Sequence, residues 1–215
     1  LPSFTEGFPG ALLEAMAEGH VTIGGQTLKL GRFTVLATQN PVEQEGIYRL
    51  PAAQIDRFML KVLVPQPSKG ELKAIARRQR FRDSRPKASK VATLADIEYI
   101  RRGAEAIPMD EAIEDYILNI VTAAEENSTF KQHIAYFAYT RAVLSMNQAA
   151  RIHALMIGRA WVSPADVRAV AHLVLRHRIV LNYQAQGNGM TPDQIIERVF
   201  ELVPIPRRDG RTVVN

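Results

Sequence analysis

Two neutral amide side chains, Gln39 and Asn40, come directly after an apolar, β-branched run at residues 33–38 and directly before Pro41. A run of this composition and length predicts a buried strand. Proline ends the strand because its nitrogen carries no hydrogen for a sheet ladder. In open parallel α/β sheets, ligands bind outside the carboxyl ends of the strands. The amide pair is therefore a candidate ligand site, and the alternative is a simple turn before the proline.

The other side chains that could bind a metal, form a disulfide or contact a nucleic acid give weaker evidence of a functional site. The five histidines show no metal-ligand spacing with carboxylates, and the five-residue separation of His172 and His177 places them about 500° apart around a helix. The absence of cysteine excludes disulfides and thiolate metal sites, and fits a cytosolic protein. The basic stretch 77–90 could contact a nucleic-acid backbone, but a solvated helix face with a linker is the favoured interpretation.

The bulk composition is that of an ordinary globular protein. The chain has 215 residues, is 47% hydrophobic and 23% charged, and carries a formal net charge of +5. This length is sufficient for one large domain or two small ones. No apolar run reaches the roughly 20 residues that a membrane-spanning helix needs. The first residues show no basic region followed by an apolar one, so the sequence predicts no secretory signal.

The segments that would position these residues change character along the chain. Up to about residue 67, short apolar runs alternate with turn signals, and Gly24-Gly25 lies between two β-prone segments, which predicts a hairpin. The predicted elements of this part are helix 10–18 ended by Gly19, hairpin 21–30, strand 33–38, a short helix at 51–56 opened by Pro51, and strand 58–64 stopped by Pro65.

From Ser68 onward the pattern is helical. Ser68 and Glu71 form a capping box for a helix that runs to about Phe81. The basic stretch 82–92, interrupted by Pro86, is a linker candidate. The predicted helices that follow are 94–106, 110–126, 139–157, 164–181 and 191–202, with Thr93, Asp110, Ser163 and Thr191 as N-caps. The chain therefore divides near 66–92 into an α/β part and an all-helical part.

Two of these helices are predicted to form an antiparallel pair joined by the turn at 158–162. The apolar positions recur at helical spacing, which indicates which faces should meet. The predicted contact places Leu144, Ala149, Ile152, Leu155 and Met156 against Val167, Val170, Leu173 and Val174.

Four long motifs carry a resemblance to a known family. They read LLEAMAEGHVTIGG, VLATQNPVEQEGIYRLPAAQIDRFML, GRAWVSPADVRAVAHLVLRHRIVLNY and, late in the chain, PIP. In order and spacing the chain resembles the MoxR family of AAA+ ATPases over nearly all of its length after about Pro9. The resemblance implies part of an α/β core of the P-loop type, with a parallel sheet and a β-hairpin insert, followed by an all-α helical lid. The corresponding domains would be 1–67 for the core part, 68–92 for the linker helix and basic linker, and 93–215 for the lid.

The resemblance also implies roles for three residues. Asn40 matches sensor 1, whose amide helps to position the attacking water. Arg57, in QIDRF, resembles the arginine finger that reaches a nucleotide on the neighbouring subunit, and a salt bridge to Asp56 or Glu45 is the alternative. Arg141 resembles sensor 2, which touches the nucleotide of its own subunit. Tyr139 and Thr140 stand where the family has a small residue and proline, so a solvated lid arginine stays open as the alternative.

Two motifs of an ATPase are absent from the 215 residues. There is no Gly-x-x-x-x-Gly-Lys-Ser/Thr, and no Asp-Glu pair ends a strand before helix 10–18. We therefore expect these residues, expressed alone, not to hydrolyse ATP. We also expect the phosphate cradle to lie in a missing N-terminal half, or in a segment omitted near residues 7–9.

The resemblance implies a complete protein that binds ATP and Mg²⁺ and hydrolyses ATP in a ring, usually a hexamer, in the cytoplasm. Such a ring would remodel or mature a client protein, often with a partner that carries a von Willebrand factor A domain. A truncated, non-hydrolysing interaction module is the alternative, and a DNA-acting motor is a third and less favoured hypothesis. Neither a membrane nor a nucleic acid is the expected partner.

Overall fold

The structure is a computed structural model that describes residues 15–16, 18–23, 25–31, 33–39, 51–79 and 88–206. The elements within these ranges are, in chain order, β1 His20–Ile23, β2 Gln26–Lys29, α1 Ala52–Ile55, α2 Lys69–Gln79, α3 Leu94–Glu105, α4 Glu111–Glu126, α5 Ser128–Lys131, β3 Ile134–Phe137, α6 Tyr139–Met156, α7 Pro164–Leu175, β4 Ile179–Leu181, α8 Tyr183–Gly187 and α9 Pro192–Leu202.

The predicted helix end and strand pair near the N-terminus are present. Gly19 has a φ of 68°, and its N–H bonds to the carbonyl of Ala15 at 3.0 Å, which closes the last helical turn. β1 then pairs antiparallel with β2, in a register that places His20 opposite Lys29. Gly25 supplies the positive φ, 78°, that the connecting turn requires.

The predicted strands 33–38 and 58–64 are wrong for the described structure. Residues 33–39 and 60–67 form no ladder, and Leu36 and Val64 are about nine-tenths exposed, at 92% and 89%. The sheets within the described ranges are two antiparallel pairs, β1 with β2 and β3 with β4, and no parallel sheet is among them. A strand needs a neighbour to satisfy its backbone groups. Apolar composition favours burial of a segment, but it does not determine which strand the segment would pair with.

The hydrophobic core lies in the helical part, from α4 to α9. Tyr116, Ile117 and Ile120 of α4 are at most 2% exposed. They belong to one cluster with buried residues of α6, α7 and α9. The predicted helix starts are also observed: Thr93 and Thr191 each form a capping box with the third residue of their helix. Asp110 is an N-cap whose side chain makes no capping hydrogen bond.

Helices α6 and α7 pack against each other more extensively than any other pair of elements in the described ranges. Ala149 and Val170 are buried as predicted, but Leu144 and Met156 are exposed, at 64% and 80%. The buried face of α6 consists of Ala142, Met146, Ala149, Ala150 and Ala154. Small side chains let two helices approach closely. The α6 face in contact is therefore made mainly of alanines, and the larger apolar residues Leu144 and Met156 lie outside it.

The helical part contains a small sheet that the sequence did not predict. β3 pairs antiparallel with β4 in the register Phe137 to Ile179. The predicted helix 164–181 therefore ends at Leu175, and residues 179–181 are extended. The β-branched pair Ile179-Val180 suits a strand, and the all-α prediction for this part is wrong in this respect. No helix in the described ranges is long and apolar enough to cross a membrane.

Candidate functional site

The segment 51–61 lies on the helical part and carries the candidate arginine finger. Its helix α1 is only four residues long and begins after Pro51, whose ψ of 150° is extended. The backbone N–H of Lys61 bonds to the carbonyl of Leu173 in α7 at 2.8 Å. A helix this short is marginal without tertiary contacts. The position of α1 therefore depends on the contacts that its segment makes with the helical part.

Asp56 is the centre of this contact. It is only 6% exposed although it carries a carboxylate. Its Oδ1 accepts a hydrogen bond from Nε of Arg178 at 2.9 Å, and its Oδ2 accepts one from Nη1 of Arg141 at 2.7 Å. A buried carboxylate requires paired cations and hydrogen bonds, and Asp56 obtains both from two separate elements of the helical part.

The guanidinium of Arg178 is enclosed, with 1% of the residue exposed. Beyond the carboxylate of Asp56 it donates to backbone carbonyls of the same segment: Nη2 to Asp56 at 3.1 Å and to Phe58 at 3.0 Å, and Nη1 to Met59 at 3.1 Å. Burial lowers the pKa of Arg178, and the hydrogen bond and charge of Asp56 oppose that effect. The five N–H donors of an arginine fork suit such a set of acceptors.

His177 adds a neutral contact beside this ion pair. Its Nε2 bonds to the carbonyl of Phe58 at 2.9 Å, which makes Nε2 the protonated nitrogen. Nδ1 is buried and has no hydrogen-bond partner among the described residues. Burial lowers the pKa of His177 to about 4, the bond to Phe58 opposes this, and the charge of Arg178 adds to it.

This shift predicts an acid-sensitive fold. Unfolded His177 takes up a proton near its ordinary pKa of about 6.5, whereas the folded side chain resists protonation down to about 4. The unfolded state therefore binds more protons in this window, so the free energy of unfolding should fall by up to about 3 kcal/mol as the pH drops from 6.5 to 4. Urea unfolding across this range measures the loss.

The matched variants for this prediction are His177→Gln and His133→Gln. Glutamine can still donate to the carbonyl of Phe58 but does not titrate, so His177→Gln should flatten the pH dependence. His133 lies outside this contact and is half-buried, and its replacement should leave the dependence as it is. An unchanged slope in His177→Gln would contradict the prediction.

Of the three predicted site residues, Arg141 bonds to Asp56, and Arg57 is the next residue in the chain after Asp56. Arg57 is half-buried and directly follows Asp56. Arg141, in the first turn of α6, has 46% of its side chain exposed and is ion-paired to Asp56. Asn40 lies outside the described residues. The Arg141 side chain is therefore both partly solvated and ion-paired.

Asp56, His177 and Arg178 were not predicted as site residues. The available signals were an aspartate directly before Arg57 and the Arg176-His-Arg178 triplet just after a helix. Neither signal identifies its partner, because the two residues of the Asp56–Arg178 pair are 122 positions apart. Ordinary helix histidines were the interpretation for His172 and His177, yet His177 lies beyond the end of α7.

Two family models match this chain. The model for the ATPase family associated with various cellular activities (AAA) matches residues 6–60. The model for the AAA lid domain matches residues 127–199. The first contains α1 and Arg57, and the second contains Arg141 and Arg178, so the Asp56 contact joins an AAA segment to an AAA lid. The fold is therefore that of an AAA-type protein.

Proteins of similar sequence identify the family, among AAA-type proteins, to which this chain belongs. The chain is 39% identical over 203 residues to the chaperone MoxR1 of Mycobacterium tuberculosis, covering 92% of this chain and 53% of that protein. It is 32% identical over 216 residues to the protein MoxR of Methylorubrum extorquens, covering 91% of this chain and 62% of that one. The chain belongs to the MoxR family of AAA+ proteins, as the sequence motifs predicted.

A solved structure supports the fold. The crystal structure of a protein from Cytophaga hutchinsonii superposes with a TM-score of 0.85 at 37% sequence identity, covering 94% of this chain and 63% of that chain. The chain thus spans between about half and three-fifths of the length of the MoxR relatives named above.

Proposed function

We propose that this chain supplies the sensor-1 segment, the arginine finger and the lid of a MoxR-type ATPase that binds and hydrolyses ATP in a ring. The observation that supports this most strongly is the Asp56 contact. It bonds Arg141, the candidate own-site sensor, to the residue directly before Arg57, the candidate finger for the neighbouring site. The domain limits proposed above, 1–67, 68–92 and 93–215, place this contact between the core part and the lid.

The chemistry that these residues offer is orientation and charge. Phosphoryl transfer requires little covalent help from the protein, and its catalysts align the attacking water and stabilise negative charge on the transferred group. We assign the first task to the amide of Asn40. The guanidinium of Arg57 would stabilise developing charge in the neighbouring subunit's site, and that of Arg141 would contact the phosphates in its own.

The described residues fit ATP in one respect. Arg141 bonds to Asp56 through Nη1 and has 46% of its side chain exposed, so the rest of its guanidinium is available to a phosphate. ATP would supply the phosphoryl group. No group of three His, Asp or Glu side chains in the described ranges could hold a metal ion. The Mg²⁺ implied by the family is therefore assigned to no residue here.

The biological role that we propose for the complete protein is inferred from its family. One relative is named a chaperone, and we propose that the ring, a hexamer, remodels or matures a client protein in the cytoplasm. A partner with a von Willebrand factor A domain is part of this proposal. An arginine that acts across a subunit boundary requires a head-to-tail arrangement of copies, and such an arrangement forms a ring when its rotation closes.

The test concerns Arg141. In the protein expressed from its complete gene, saturating ATP should slow amide hydrogen exchange across 139–181, because a phosphate held by Arg141 would restrain the lid. Arg141→Ala should abolish this response. The matched control is Arg102→Ala, on an exposed face of α3 and 74% exposed, which should retain it. Equal exchange with and without ATP in the wild type would contradict the proposed role.

A further inference from the structure

We infer that Arg178 is a positioning residue for Arg57: it fixes the backbone on both sides of Arg57 and so determines where that side chain leaves the segment. This inference rests on the proposed function, because it assumes that Arg57 acts on a nucleotide in the neighbouring subunit. Arg178 itself is enclosed, at 1% exposure, so we assign it an effect on the segment and not on a ligand.

The pattern of acceptors carries the inference. Arg178 donates to the carbonyl of Asp56, the residue before Arg57, at 3.1 Å. It donates to the carbonyls of Phe58 and Met59, the two residues after Arg57, at 3.0 and 3.1 Å. One rigid planar group therefore holds three carbonyls that bracket a single side chain. Stability alone would not require that the bracketed residue be Arg57.

The guanidinium of Arg178 is itself anchored to α6 and α7. Nη1 also donates to the carbonyl of Val174 in α7, and Nη2 donates to Oγ of Ser145 in α6 at 3.2 Å. The bond from Lys61 to Leu173 and the bond from His177 to Phe58 hold the same segment. The path of residues 56–61 is therefore set by the lid, since the contacts come from α6, from α7 and from the turn after α7.

Asp56 links this anchor to the nucleotide sensor. One carboxylate oxygen faces Arg178 and the other faces Arg141. A phosphate bound by the other donors of Arg141 would share one guanidinium with Asp56, while the buried bond from Asp56 to Arg178 would persist. The contacts from Arg141 to Asp56 and from Asp56 to Arg178 thus connect the proposed sensor of each subunit to the segment that carries Arg57.

The test is Arg178→Lys, with Arg168→Lys as the matched control. Lysine retains the charge but loses the fork that holds three carbonyls. Arg168 is also a lid arginine, stacked on the ring of Phe200 and bonded to its carbonyl at 3.0 Å, away from residues 51–61. In the protein from the complete gene, Arg178→Lys should lower kcat about 100-fold, the scale of a 1 Å misplacement. KM for ATP should stay within about threefold, and Arg168→Lys should leave kcat near the wild-type value.

A second experiment, in which two variant subunits are mixed, distinguishes a positioning effect on Arg57 from a general loss of structure. Subunits that carry Arg178→Lys, mixed with subunits that carry Asn40→Ala, should recover turnover, because the first retain an intact own site and the second present an intact finger. In the 215-residue chain, Arg178→Lys should speed amide exchange at 57–61 while α4 stays protected. If Arg178→Lys fails to fold, Ser145→Ala removes only one anchor and should give a smaller loss of kcat with the same unchanged KM.

The outcomes distinguish the two proposals. If the wild type hydrolyses ATP and Arg57→Ala does not, but Arg178→Lys has the kcat of Arg168→Lys, the inference is overturned and the proposed function stands. If the wild type hydrolyses no ATP, the proposed function fails. In that case exchange at 57–61 still decides whether Arg178 fixes the segment, and unchanged exchange would overturn the inference as well.

Discussion

Replacing Arg57 by alanine is expected to lower ATP turnover by roughly 10³-fold, the lower range for an arginine finger, in the protein expressed from its complete gene. ATP affinity should change by only a few-fold. The reason is that a guanidinium placed against the transferred phosphoryl group stabilises charge that develops in the transition state more than charge already present in bound ATP. Steady-state phosphate release and equilibrium binding of ATP measure the two quantities separately.

Two variants sharpen this result. Arg57→Lys retains a positive charge but not the fork, and should recover only part of the lost turnover. Arg77→Ala, in the last turn of α2, should behave as the wild type because its basic side chain is on an exposed face. A loss of ATP affinity as large as the loss of turnover would mean that Arg57 supports its own subunit's site or the fold.

The second large effect is expected for Asp166→Ala, which should lower the free energy of unfolding by about 3–5 kcal/mol. Asp166 is fully buried at the start of α7. It accepts from the backbone N–H of Ser163 at 2.8 Å and from Nδ1 of His153 in α6 at 2.8 Å, and it is ion-paired with Arg159. Removing it would leave the partly buried donors of Ser163, His153 and Arg159 without their acceptor and would loosen the contact between α6 and α7.

The protonation state of Asp166 agrees with this role. Burial alone would raise the pKa of this carboxyl, but hydrogen bonds from Ser163 and His153 and the charge of Arg159 lower it below the ordinary value. The carboxylate therefore stabilises the fold above its unfolded pKa, and that contribution is lost as the pH falls through the lower folded value.

Asp193→Ala is the matched control for Asp166→Ala. Asp193 also pairs with a histidine and an arginine, His172 and Arg176, at 2.9 and 3.1 Å, but 34% of its side chain is exposed. Partly exposed pairs contribute little, so this variant should cost about 1 kcal/mol or less. Urea unfolding of the 215-residue chain compares the two. Equal costs would contradict the expectation that the burial of Asp166 makes its ion pairs the more stabilising ones.

Local signals in the sequence predicted much of the helical part. The capping pairs Thr93 with Asp96 and Thr191 with Gln194 fall at helix starts, and Ser68 exchanges hydrogen bonds with Glu71 at 2.7 and 3.3 Å. These features are readable because both partners lie three residues apart. The same holds for Gly19, whose positive φ ends a helix.

Features that depend on distant partners were not predictable in this way. The run at 33–38 has the composition of a strand, but a strand exists only with a paired neighbour. β3 and β4 pair across more than 40 positions, and the segment that became β4 continued the helical pattern of α7. Long-range pairing overrode local propensity there.

The candidate site shows the same division. Arg57 and Arg141 were found through motifs, each within a short stretch of sequence. Their common neighbour Asp56 was missed because its role arises only when the segment 51–61 reaches α6 and the turn after α7. Composition gives no indication that a buried aspartate joins two arginines.

The most direct test of a ring in which each site is completed by its neighbour is a mixture of two inactive proteins. Arg57→Ala subunits keep their own Asn40, and Asn40→Ala subunits keep their finger. In a randomly mixed ring at equal amounts, about one quarter of the sites should combine an intact Asn40 with an intact Arg57 across a head-to-tail interface. Phosphate release should rise from near zero for either protein alone toward about that fraction of the wild-type rate. No recovery at any ratio would contradict the account.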